Sequence, residues 1–114
     1  MPLLAHSVQG EDMPVVYKQP SERFQIFYDF ENDLNDTESI LLASSSVAVE
    51  DKAGIDATAA LTANDSLVVV GTKLYVTIRG GEESKSPYHV SLKAGTDEGG
   101  HVYEHDPFIV VEED

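Results

Sequence analysis

Leu74, Val76 and Ile78 alternate with Tyr75, Thr77 and Arg79. A two-residue hydrophobic period puts one set of side chains on each face of an extended strand. The same beat recurs at Phe24, Ile26, Tyr28 and Phe30, and again at Tyr88, Val90, Leu92 and Ala94. Phe27 falls on the other face of its strand, where contact with the N-terminal arm is expected. No long 3.6-residue period competes with this pattern. A chain made of such segments has to bury one face of each, by stacking two sheets or by closing one on itself.

Turn signals divide the chain at short intervals. Met13–Tyr17 reads as a short edge strand with Pro14 at its beginning, and Pro20-Ser21 follows. Glu31–Asp36 is a polar loop with Leu34 as its single apolar anchor. Ser39–Val49 reads as one long strand, or as two with a bend at Ser44-Ser45-Ser46. Ile55–Leu61 alternates weakly; its alanines leave a helix as an open alternative. Asn64-Asp65-Ser66 and Gly71-Thr72 flank the β-branched run Leu67–Val70, and Gly80-Gly81 closes the clearest strand. Pro87 starts the next strand, Asp97–Gly100 makes a hairpin loop, and Pro107 marks a bulge or an edge in the last strand, Val102–Glu112.

About seven antiparallel strands with turns every 8 to 12 residues predict an all-β fold. The expected form is a single immunoglobulin-like or fibronectin III-like β-sandwich, with a small barrel as the related closed form. Residues 1–12 are expected to be a flexible N-terminal arm and residues 13–114 the sandwich. The predicted core is Phe24, Ile26, Tyr28, Leu34, Ile40, Leu74, Val76, Ile78, Tyr88, Val90, Leu92 and Val110.

A chain of 114 residues is one domain by length, large enough to hide roughly 65% of the surface its unfolded form exposes. It has no cysteine, so disulfides and thiolate zinc sites are excluded. Its formal charge of −14 repels phosphate backbones and anionic lipid heads. Nucleic acid and membrane are therefore not expected as partners; a basic protein or a cation is, unless the charge serves only solubility. Pro2-Leu3-Leu4-Ala5 is too short for a signal-peptide core and has no basic residue before it, and no window approaches 18 apolar residues. Synthesis in the cytoplasm is the expectation.

Chemistry-bearing residues are sparse in pattern. Asp29, Glu31, Asp33 and Asp36 are calcium candidates, because alternate carboxylates begin an EF-hand loop. The match then fails, with Leu34 where the loop needs glycine and Ile40 where it needs a bidentate glutamate. His101, Glu104, His105 and Asp106 form a second cluster, but neighbours such as His105 and Asp106 point to opposite faces of a strand. No Gly-x-Ser-x-Gly elbow is present, and Gly80-Gly81 lacks a phosphate-loop lysine. Tyr17, Tyr75, Tyr88 and Tyr103 could supply faces for a sugar, although the chain has no tryptophan. The expectation is a non-enzymatic protein without a cofactor.

Two resemblances complete the sequence reading. Ser86-Pro87-Tyr88-His89-Val90-Ser91-Leu92-Lys93-Ala94, followed by Gly99, is similar to the F strand and F–G hairpin of fibronectin type III and related domains. On that likeness Tyr88, Val90, Leu92 and Ala94 face the opposite sheet. Over residues 22–113 the chain resembles a family of small structural proteins encoded among the morphogenesis genes of tailed phages and prophages. The resemblance rests on Phe27–Phe30 with Asp33-Leu34, on Thr37-Glu38-Ser39-Ile40 with Ser44-Ser45-Ser46, and on Val76–Gly81. It continues through Tyr88–Ser91, Thr96, Gly99 and the terminal strand Glu104–Val111. Val47 stands where that family carries a tryptophan, and Glu82, Glu83 and Ser84 stand where it carries a glycine.

The resemblance implies an adaptor at the head–tail junction or in the tail, located in the virion. It implies binding to other virion proteins through sandwich edges and loops, with self-association as a further candidate, and no cofactor or active site. The alternative function is a cell-surface adhesion or carbohydrate-binding module stabilised by calcium.

Overall fold

The alternation at 74–78 becomes β5 (Lys73–Ile78), whose Leu74, Val76 and Ile78 are buried while Lys73, Tyr75 and Thr77 face outward. The computed structural model describes residues 14–113; the expected arm, residues 1–12, lies outside them. The remaining strands are β1 (Val15–Lys18), β2 (Phe24–Asp29), β3 (Ser46–Glu50), β4 (Val68–Val70), β6 (Tyr88–Gly95), β7 (Val102–His105) and β8 (Phe108–Val111). One sheet runs β1-β8-β6-β3 with β7 also on β6, and the other runs β2-β5-β4. The chain is an all-β sandwich whose strand order follows the immunoglobulin pattern.

A side-chain bond supports the same topology. The Tyr88 hydroxyl accepts a hydrogen bond from the Glu82 N–H at 2.9 Å, six residues upstream across the turn that joins the two sheets. That is the tyrosine corner of Greek-key sandwiches. Tyr88, Val90, Leu92 and Ala94 are all buried, as their alternation predicts. They meet Phe30, Ile40, Val49, Leu74, Val76 and Ile78 in one core.

Three local features depart from the sequence expectation. β1 pairs with β8 in parallel, Val15 beside Phe108 and Lys18 beside Val111, so the sheet is not wholly antiparallel. Pro107 makes no bulge: Leu92 opposite His105 and Tyr88 opposite Ile109 keep one register across it. It accepts from the Val90 N–H at 2.9 Å and returns no N–H, which splits the last strand into β7 and β8. In β8, Ile109 and Val111 are buried in place of the predicted Val110. Four consecutive apolar residues carry no alternation, so only the pairing with Tyr88 sets their phase.

Two ambiguous segments resolve locally. Ile55–Leu61 contains a one-turn helix, α1 (Thr58–Leu61), whose only buried residue is Leu61. The serine bend is a 3-10 turn at Leu42–Ser44 ahead of β3. Ser45 Oγ donates to Leu41 O at 2.8 Å and accepts from the Gly95 N–H at 3.1 Å, so the serine fastens the bend to the end of β6.

Lys18 is the one lysine held in the interior, 3% exposed. Its Nζ donates to the carbonyls of Gln19, Pro20 and Gly80, joining the β1 edge to the turn that leaves β5. Burial pulls the ammonium below its ordinary pKa, and the nearby Glu22 partly opposes this. Lys18→Met keeps the stem but removes the donors. The expected loss is about 2 kcal/mol of unfolding free energy, read from urea denaturation at neutral pH.

Candidate functional site

Three connections share one end of the sandwich. They are the long loop from Asp29 to β3, the Gly71-Thr72 turn between β4 and β5, and the hairpin from Gly95 to Val102. Hydrogen bonds tie them together. The Phe30 N–H donates to Thr72 O at 2.9 Å, the Leu41 N–H to Gly95 O at 2.8 Å, and the Asp97 N–H to Ser39 O at 3.0 Å. In immunoglobulin variable domains, loops clustered at one end of the sandwich carry recognition.

At the centre of this end lies a buried carboxylate. The Glu38 side chain has no exposed surface. Its Oε1 accepts from the Asn35 N–H at 3.0 Å and from the Tyr103 hydroxyl at 3.2 Å. Its Oε2 accepts a short hydrogen bond from Thr96 Oγ1 and lies 3.1 Å from His101 Nδ1, the nitrogen that donates when it carries the proton. Burial alone would push the Glu38 carboxyl up. The bonds from Thr96, Asn35, His101 and Tyr103 outweigh it and bring its pKa to about 2. Tyr103 moves the other way: burial, then the bond to Glu38, raises its hydroxyl. The network joins the first loop, through Asn35 and Glu38, to the hairpin, through Thr96, His101 and Tyr103.

The four calcium candidates do not converge. Asp29 Oδ1 accepts from Thr72 Oγ1 at 2.6 Å and from the Glu31 N–H at 3.0 Å, and these bonds hold its carboxyl below the usual range. Glu31, Asp33 and Asp36 point to solvent. Among the described residues, no three His, Asp or Glu side chains are grouped as a metal ion requires. The second cluster also separates. His101 joins Glu38, and His105 stacks on Tyr28 with ring centroids 3.8 Å apart, where burial lowers its pKa. Glu104 and Asp106 share a hydrogen bond, the first cause of a raised Glu104 pKa. Asp106 Oδ1 is buried without a hydrogen-bond partner and lies 3.4 Å from His89 Nε2.

No protein-family model, no curated protein and no solved structure matches the chain. The four tyrosines do not make one sugar platform, since Tyr88 is in the core and Tyr103 is bound to Glu38. Tyr75 lies instead on the outer face of the three-stranded sheet, stacked on Phe27 at 5.0 Å with Lys73 over the Phe27 ring. Among the described residues, no helix is long and apolar enough to cross a membrane.

The sequence reading missed Glu38 as a site residue because, among 21 acids, one more carboxylate carries no signal. A signal existed all the same. Glu38 stands two residues before Ile40, so in an extended segment it shares the face of a buried side chain.

Proposed function

We propose that this chain is a non-enzymatic structural protein of a tailed-phage or prophage particle, docking on a basic surface of another virion protein through its loop end. The observation that carries the proposal is the Glu38 network. It locks two loops into one unit, and that unit presents Glu31, Asp33, Asp36, Asp97 and Glu98 around it. A pre-ordered acidic end loses little conformational entropy on binding. Its charge speeds encounter with a basic protein and disfavours nucleic acid. The resemblance to phage morphogenesis proteins supplies the class of partner, and the acidic end supplies its chemistry.

The test is incorporation into particles made from the coding locus. The wild-type chain is expected in purified particles by mass spectrometry. A chain carrying Asp33→Asn, Asp36→Asn and Glu98→Gln is expected to melt close to wild type, because these side chains stand apart from the Glu38 bonds and, unlike Asp97, whose Oδ1 accepts from the Ser39 N–H at 2.9 Å, do not tie the loops together. It is expected to incorporate at least about tenfold less, the equivalent of roughly 1.4 kcal/mol of docking energy. Wild-type chain absent from purified particles would overturn the virion assignment. Undiminished incorporation of the neutralised chain would move docking away from the loop end.

A further inference from the structure

Among the described residues, β2 is the longest open edge of the sandwich. β5 covers one side of it, with an unbroken register from Phe24 opposite Ile78 to Asp29 opposite Lys73. The Phe30 N–H donates toward β5, to Thr72 O. By alternation Phe24, Ile26 and Tyr28 also turn their backbone groups toward β5, and Gln25 and Phe27 turn theirs outward. Among the described residues, no strand pairs with that side.

The other edges are protected in ways that natural sheets use. β1 lies between Pro14 and Pro20. On β3 the outward groups of Val49 are occupied by the Ala57 N–H and by Thr58 Oγ1. β7 carries Glu104 and runs into Pro107, and β4 has only three residues. β2 has no proline, no bulge and no lysine. It carries opposite charges at its two ends, Arg23 just before it and Asp29 at its last position, with uncharged residues between.

We propose that β2 pairs antiparallel with β2 of a second copy of this chain about a two-fold axis. With Gln25 opposite Phe27 of the second copy, Arg23 falls opposite Asp29 of the second copy, and symmetry repeats the pair. All of these residues are odd-numbered, so they share the outer face and the outward-pointing backbone. The edge is therefore complementary to itself in charge and in hydrogen bonding, which is what an isologous contact requires. The product is a continuous sheet with three strands from each copy. Phe27, half exposed and already stacked on Tyr75, gains the aliphatic part of the second copy's Gln25 along its open side. This pairing needs no virion partner and stands whether or not the acidic end docks.

The test is sedimentation equilibrium of the full chain over a wide concentration range, together with amide hydrogen exchange. Both are run at about 0.15 M salt, where repulsion between acidic copies is screened beyond roughly 8 Å. A monomer–dimer equilibrium is expected, with exchange at the Gln25 and Phe27 amides slowing as the dimer forms. Gln25→Pro withholds an outward N–H and leaves every bond to β5, so it is expected to abolish the dimer without lowering the melting temperature measured at concentrations where the wild type is monomeric. Arg23→Glu sets like charges opposite each other twice and is expected to weaken the dimer about tenfold; it also serves if Gln25→Pro fails to fold. A monomer at every concentration overturns the proposal, as does a dimer that neither variant moves. Concentration-independent protection at Gln25 and Phe27 also overturns it, because another segment of the same chain would then cover the edge.

Discussion

Glu38→Gln is expected to remove much of the acid sensitivity of this fold. The Glu38 carboxyl has a folded pKa of about 2 against an ordinary value of 4.5. Between those values the unfolded chain binds a proton that the native chain does not, so stability falls as the pH falls. The contribution is complete above about 4.5 and gone below about 2. The variant carries no such charge. Urea midpoints for the two proteins should therefore differ most at neutral pH and converge as the pH approaches 2. Asp29 and Asp56, whose carboxyls are also held low, are present in both proteins and cancel in the difference. A gap that stays constant from neutral pH down to 2 would mean that Glu38 is not ionised within its network. The same variant should loosen the hairpin, visible as faster amide exchange at Asp97, whose N–H donates to Ser39 O.

The second large effect is expected from a single added methyl group. A Cβ at Gly95 would sit 2.3 Å from Ser44 O and 2.6 Å from Ser44 Cβ. Gly95 is also held on both of its backbone groups, by Ser45 Oγ and by the Leu41 N–H. The 3-10 turn cannot retreat without releasing those bonds. Gly95→Ala should therefore cost about 3 kcal/mol, the upper end for overpacking, and lower Tm by on the order of 10–20 °C. Gly99→Ala is the control, since nothing lies within 4 Å of a Cβ there, and its expected effect is within about 0.5 kcal/mol. Equal melting of the two variants would show that the turn yields freely to the methyl group.

How much of this was legible in the sequence depended on whether the information was local. β2, β5 and β6 alternate cleanly, so their inward faces follow from a two-residue period alone. Leu34 packs on the core as the single apolar residue of a polar loop should. β8 defeats the same rule because all four of its residues are apolar, and β7 misleads it. There Val102 is exposed while His105 lies half-buried against Tyr28, since stacking and the bonds to Glu38 decide the phase rather than hydropathy. The parallel partnership of β1 and β8 joins positions some ninety residues apart, and no local pattern encodes it. The Glu38 network is equally non-local, with its donors split between Asn35 and the hairpin beyond Gly95. An isolated carboxylate is unremarkable in sequence until the fold delivers hydroxyls to it.

The parallel pairing of β1 with β8 also sets how the domain carries load. β1 runs away from the loop end and β8 runs beside it in the same direction, matched over Val15–Lys18 and Phe108–Val111. Tension entering before Val15 and leaving after Val111 pulls these strands lengthwise past each other. Their hydrogen bonds are then strained together in shear, whereas a hairpin pulled from its two ends opens one bond at a time. Lys18 and the carbonyls it grips stand at the trailing end of that ladder. Traction along the chain thus meets its stiffest resistance at the outset, before any core residue has moved.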